Sequence, residues 1–182
     1  MDLGLFPRKN SRIAAPVRRF ATLLLSFGLL GSVPARADLG LTWDLGASTG
    51  SYNNVGYSEV NLGVNWSFTD YLIWRNSVFS RFPSTGDGVQ GLDTSLRLHH
   101  SVTSDNGTFG LGFFGGPGYR FASASYSAAF AEAGLLVKLG GLQLGGGVKA
   151  FRYSNPGTTT TGAALPPDDV TYFIILSGGG AL

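Results

Sequence analysis

The chain has 182 residues, 13 of them basic and 11 acidic, with 28 glycines and no cysteine. The missing cysteines exclude a disulfide framework, a thiol nucleophile and a cysteine-based metal site. Six basic residues (Arg8, Lys9, Arg12, Arg18, Arg19, Arg36) and one acid, Asp2, precede residue 38, so seven basic and ten acidic residues remain from Asp38 onward. The basic balance therefore belongs to the first segment, and no nucleic-acid footprint remains after it.

Residues 1–37 read as a cleaved secretory signal peptide. Its basic start is followed by Ala21 to Val33, 13 residues of apolar stretch, where a spanning helix needs about 20. Ala35-Arg36-Ala37 then supplies the small-x-small cleavage pattern, which places the mature start at Asp38. General secretory export is expected. Residues 38–182 form the single domain that follows.

From residue 39 onward the apolar residues alternate with polar or tiny ones, the two-residue period of a strand with one oily face and one polar face. The first predicted strand, 39–49, sets Leu39, Leu41, Trp43, Leu45 and Ala47 against Thr42, Asp44, Gly46 and Ser48. A Gly-, Ser- and Asn-rich loop, 50–56, leads to the second, 57–68, where Val60, Leu62, Val64 and Trp66 alternate with Glu59, Asn61, Gly63 and Asn65. Thr69-Asp70 marks a tight turn, and the third strand, 71–82, fits best if the turn takes three residues, with Leu72, Trp74, Val78 and Phe82 outward and Arg75 and Arg81 inward. A loop over 83–88 precedes the fourth, 89–102, and the turn Ser104-Asp105-Asn106-Gly107 precedes the fifth, 108–121. Pro117 costs the fifth strand one ladder donor. The sixth, 127–139, and seventh, 142–153, meet across Gly140-Gly141, with Leu139 opposite Leu142 and Val137 opposite Leu144. A long Thr-, Gly- and Pro-rich loop, 154–169, leads to the eighth, 170–182.

Eight such strands predict an all-β fold, an eight-stranded antiparallel up-and-down transmembrane β-barrel. Connections one, three, five and seven read as longer than two, four and six, the pattern of long outer loops and short periplasmic turns. Outward aromatics fall in two girdles. Trp43, Trp66, Phe68, Trp74 and Phe109 lie toward the periplasmic rim, and Phe82, Tyr119, Phe121 and Tyr172 toward the outer one.

The same parity sends charge inward. Asp44, Glu59, Arg75, Asp93, Arg97, Arg120, Glu132, Lys138 and Lys149 form the predicted interior network, with Arg81 also inside. Arg152 is the outward exception, near a rim. Phe114, Phe130, Leu136, Phe151, Phe173 and Ile175 also point inward, beside the small Gly145, Gly147 and Gly179. An eight-stranded barrel is just wide enough to be filled by side chains, so a salt-bridged plug is expected rather than a narrow polar conduit.

On the signal segment, strand count, girdles and polar interior, residues 38–182 resemble the small eight-stranded outer-membrane barrels, OmpA- and OmpX-like in architecture. Such chains usually end in an aromatic residue that helps the barrel-assembly machinery, whereas this sequence ends Gly180-Ala181-Leu182. The resemblance implies outer-membrane lipids and that machinery as partners.

Two stretches carry candidate chemistry. His99 and His100 are adjacent on a strand, so they face opposite sides and do not easily chelate one metal. Arg152-Tyr153-Ser154-Asn155 resembles the His-x-Ser-Asn stretch of the outer-membrane lipid A 3-O-deacylases, which are also eight-stranded barrels. That resemblance implies Ser154 as nucleophile and Asn155 as its neighbour. Arg152 stands at the general-base position, and a guanidinium stays protonated. No glutamate follows; Asp168 and Asp169 come after Pro166-Pro167. The expectation is thus a barrel without catalytic, cofactor or metal site, serving a structural or surface-binding role through its outer loops. The run Thr158 to Thr161 and Pro166-Pro167 form its expected contact surface for an extracellular ligand. A lipid-modifying enzyme and a narrow channel are the alternatives.

Overall fold

The computed structural model describes residues 40–123, 126–158, 162 and 164–178. The predicted signal peptide, Leu39, Thr159 to Thr161, Gly179 and the chain end Gly180-Ala181-Leu182 lie outside the described residues. Eight strands follow one another around a closed barrel. They are β1 (Gly40–Tyr52), β2 (Val55–Ser67), β3 (Leu72–Pro83), β4 (Val89–Thr103), β5 (Phe109–Ala122), β6 (Ala128–Leu139), β7 (Leu142–Tyr153) and β8 (Asp168–Gly178). Every neighbouring pair is antiparallel, and β8 closes against β1 from Trp43 opposite Gly178 to Gly50 opposite Thr171.

Alternation decides which way each strand faces, because a slip of one residue would turn its whole apolar set inward. Leu45, Leu135 and Ile174 are 51%, 60% and 63% exposed, while Asp44 and Arg120 are 0% and 1% exposed. A barrel in water buries its apolar atoms and solvates its charges; this one does the reverse. Only a bilayer makes such an exterior favourable, so the barrel is transmembrane. Aromatic pairs stand toward both rims. Trp66 and Trp74 lie 5.3 Å apart at one rim, and Tyr119 and Phe121 4.8 Å apart toward the other.

Two turns follow the sequence closely. Beyond the Ser67–Ile73 pair, Phe68 N–H donates to the Leu72 carbonyl at 2.9 Å, leaving Thr69, Asp70 and Tyr71 as the three-residue turn. At the sixth connection Leu139 faces Leu142 across Gly140-Gly141, where Gly140 has φ 63°.

The first connection corrects the sequence reading. It is a two-residue turn, Asn53-Asn54, and Gly50 to Tyr52 and Val55 to Gly56 belong to strands. Asn53 and Asn54 both have positive φ (50° and 63°), the conformation whose twist matches a two-residue hairpin. Gly50 pairs with Tyr57 in the ladder and leaves room for its phenol, which lies where a Cβ would be. The expected alternation of short and long connections is therefore absent. Residues 84–88, 104–108 and 123–127 give equal third, fourth and fifth connections, and only the seventh, 154–167, is long. The eighth strand also starts earlier than expected, at Asp168, directly after Pro167. A proline fits there because its missing N–H falls just outside the ladder.

Candidate functional site

The barrel interior is a column of charge interleaved with aromatic rings. Its first layer, at the end where β1 begins and β8 ends, joins β1 and β3. Arg75 grips Asp44 with two prongs, Nη2 to Oδ1 at 2.6 Å and Nε to Oδ2 at 2.8 Å. Gly63, opposite Asp44 on the intervening β2, clears the route; a Cβ there would sit 2.8 Å from Asp44 Oδ1. Asn65 donates to the same carboxylate at 3.0 Å, and Asn61 and Ser77 accept from Arg75 at 2.8 and 2.6 Å.

In the second layer Arg97 forks onto Glu132, Nε at 2.8 Å and Nη2 at 3.0 Å, and Ser95 adds a third donor at 2.7 Å. Lys149, directly opposite Glu132 across β6 and β7, donates to Asp93 at 2.9 Å and so joins the second layer to the third. There Arg120 makes two hydrogen bonds to Asp93 and two to Glu59, at 2.7 to 2.8 Å. Two-pronged guanidinium–carboxylate pairs are the strong, geometrically specific kind.

The fourth layer reaches the far mouth. Arg81 pairs with Glu59 at 3.1 Å and donates to the Tyr153 hydroxyl at 3.0 Å. Tyr57 and Tyr153 donate in turn to Asp169 Oδ2 at 2.6 and 3.0 Å. Rings separate the cations: Arg120 lies 3.7 Å over Phe79, Arg97 4.4 Å over Phe114 and Arg81 3.8 Å over Tyr57. Such contacts hold the flat guanidinium faces while their edges bind carboxylates.

The buried acids are Asp44, Glu59, Asp93, Glu132 and Asp169, and the buried bases are Arg75, Arg81, Arg97, Arg120 and Lys149. Five meet five, so the interior carries no formal net charge. Little space remains. The cavity within the column holds about 10 Å³, roughly one water. Inward glycines receive neighbouring rings: a Cβ on Gly134 would lie 2.6 Å from Phe114, and one on Gly147 2.8 Å from Phe173.

Of the nine residues of the predicted interior network, Asp44, Glu59, Arg75, Asp93, Arg97, Arg120, Glu132 and Lys149 lie in these ion pairs. Lys138 is half-buried near the end of β6 and makes no ion pair among the described residues. Sequence reasoning left out Asp169, Tyr57, Tyr153 and Phe79. Counting by two from Glu59 and from Arg75 reaches Tyr57 and Phe79, so the signal for those two was present. Asp169 was read as loop because two prolines and a Thr-rich run precede it.

Ser154 is exposed at the far rim, and its Oγ lies 3.1 Å from the Tyr119 hydroxyl. Arg152 points outward to an exposed pair with Asp168 at 3.6 Å. His99 and His100 pair with Phe114 and Phe113 toward the opposite end of the barrel, so neither is placed to take the Ser154 proton. The seventh connection folds back on itself. Leu165 N–H donates to the Gly157 carbonyl at 2.9 Å, and Tyr52 holds the Pro166 carbonyl at 2.7 Å.

No family model matches the chain, and no curated protein matches it. Among solved structures it is similar to the crystal structure of the outer membrane enzyme PagL, with 16% identity over 75% of this chain and 99% of that one, at a TM-score of 0.48. A likeness at this identity says nothing of activity.

Proposed function

We propose that this protein is a bacterial outer-membrane barrel without a catalytic centre, whose charge-balanced interior rigidly supports a binding surface at the mouth where β1 ends and β8 begins. The observation that carries this reading is the filled interior. Five buried acids and five buried bases leave about 10 Å³ of free space among them. A conduit needs a continuous wet path, and a deacylase needs a base beside its serine. The arrangement favours neither. What it does provide is a stiff frame for the mouth, where the tyrosines of β1, β2 and β7 and the seventh connection gather. Loops on such a frame are the usual place for recognition.

Three measurements on cells with and without the protein test the reading. Outer-membrane fractions run unboiled and boiled should show a mobility shift, the mark of a folded membrane barrel. Lipid A and phospholipid mass spectra should be identical, and planar bilayers should show no discrete conductance. A lipid A species missing one acyl chain, abolished by Ser154→Ala, would replace the binding reading with an enzymatic one. Conductance steps altered by Arg97→Gln would replace it with a channel.

A further inference from the structure

A second cavity, of about 160 Å³, opens at the far mouth among Tyr52, Tyr57, Tyr126, Arg81, Val89 and Leu165. Its floor is built rather than incidental. Arg81 is 3% exposed, lies 3.8 Å over the Tyr57 ring and is anchored through Nε and Nη1 to Glu59, Tyr153 and Asp169. Its remaining nitrogen, Nη2, is buried and has no hydrogen-bond partner among the described residues. A buried guanidinium N–H left unmade costs free energy, so an acceptor that reaches it beneath this cavity meets a donor already desolvated.

The walls specify the rest of the ligand. Tyr52 stands edge-on to Tyr126 at 5.9 Å, and both pack near Tyr153 at 4.8 and 5.8 Å. Another flat ring continues that edge-and-offset packing. The volume admits one ring, since a cavity of about 150 Å³ takes a benzene. Asn53, Thr85 and Asp87 also line the cavity and could meet the hydroxyls of a sugar, so the flat ring is set apart by the packed tyrosines. Arg81 is already flanked by Glu59 and Asp169, so the acceptor has no need of charge.

From this geometry we infer that the mouth cavity binds a single-ring aromatic molecule carrying a carbonyl or carboxylate oxygen, the ring among Tyr52, Tyr57 and Tyr126 and the oxygen on Arg81 Nη2. The inference deepens the proposed binding role and rests on that mouth facing outward.

The test is calorimetric titration of the full barrel in detergent micelles with benzoate, benzamide, cyclohexanecarboxylate and glucose. Saturable binding of benzoate or benzamide is expected, at least fivefold tighter than cyclohexanecarboxylate. Which of the two binds tighter tells whether the acceptor is a carboxylate or a neutral carbonyl. Arg81→Gln should weaken binding at least tenfold. Because that change also breaks ion pairs, Leu165→Trp supplies a second arm: it fills the cavity from a loop residue and should abolish binding while the heat-dependent mobility shift persists. No saturable binding of either aromatic, binding untouched by Leu165→Trp, or preference for glucose would each overturn the inference. Labelling of Asn53→Cys by a membrane-impermeant thiol reagent on intact cells tests the outward orientation separately. A labelled protein that binds no aromatic loses the cavity assignment and keeps the surface reading. A protein labelled only after permeabilisation loses the surface reading whatever its titrations show.

Discussion

Arg120 on β5 and Glu59 on β2, separated by 61 residues in sequence, meet across the barrel through two hydrogen bonds of 2.8 Å. Arg120 holds Asp93 in the same way, so one guanidinium binds two buried carboxylates at once. Removing that cation would leave Glu59 with Arg81 alone and Asp93 with Lys149 alone. Arg120→Met is expected to cost about 3–5 kcal/mol, the usual penalty for breaking a buried ion network from one side. Adding Asp93→Asn should recover part of the loss, because it restores the balance of four buried acids against four buried bases. Urea titrations of barrels folded into lipid vesicles measure both; an Arg120→Met barrel as stable as its parent would show that the column adds nothing to stability.

The outward face gives the opposite expectation. Ile174 lies mid-barrel opposite Ala47 and is 63% exposed. Ile174→Arg should cost about 2–4 kcal/mol in vesicles, and Leu142→Arg beside the Gly140-Gly141 turn about 0–1, because the penalty for charge on the lipid face falls toward the interface. Were that face in water, Ile174→Arg would be harmless. Vesicle folding titrations of the two variants therefore test the membrane assignment and the depth of each position together.

At the exposed rim a charge pair should matter little. Arg152 and Asp168 lie 3.6 Å apart with side chains 76% and 63% exposed. A double-mutant cycle with Arg152→Ala and Asp168→Ala should give a coupling below about 1 kcal/mol, and added salt should shrink it further. A coupling several times larger would mean that this rim is shielded from solvent.

The first turn offers a backbone test. Asn54 has φ 63°, where a β-branched side chain is strained by about 1–2 kcal/mol. Asn54→Val should lose stability on that order, and Asn54→Gly should match or exceed the parent. Unfolding midpoints of the three proteins in one detergent settle the order.

Much of this site can be read locally. Glu59 faces Arg81, Asp93 faces Arg120 and Glu132 faces Lys149 as direct cross-strand neighbours, so each of those residues needed only correct parity to be placed inside. Parity repeats every two residues and survives errors of a few residues at strand ends. Asp169 escaped for a different reason. The composition of residues 154–167 reads as loop, and nothing local marks Asp168 as the point where pairing with Arg152 resumes. The Asn53-Asn54 hairpin escaped similarly, since Gly, Ser and Asn suit a loop as readily as a strand flanking a tight turn.

By itself the sequence determined the number of strands, which face of each is oily and that charge must gather inside, because a two-residue period is a property of consecutive residues. Only the tertiary structure decided which acid each base would hold. Arg75 reaches past β2 to Asp44, Arg97 past β5 to Glu132, and Arg120 across the interior to Glu59. Those distances depend on strand tilt and the stagger of the closed barrel, quantities that exist only once β8 has met β1.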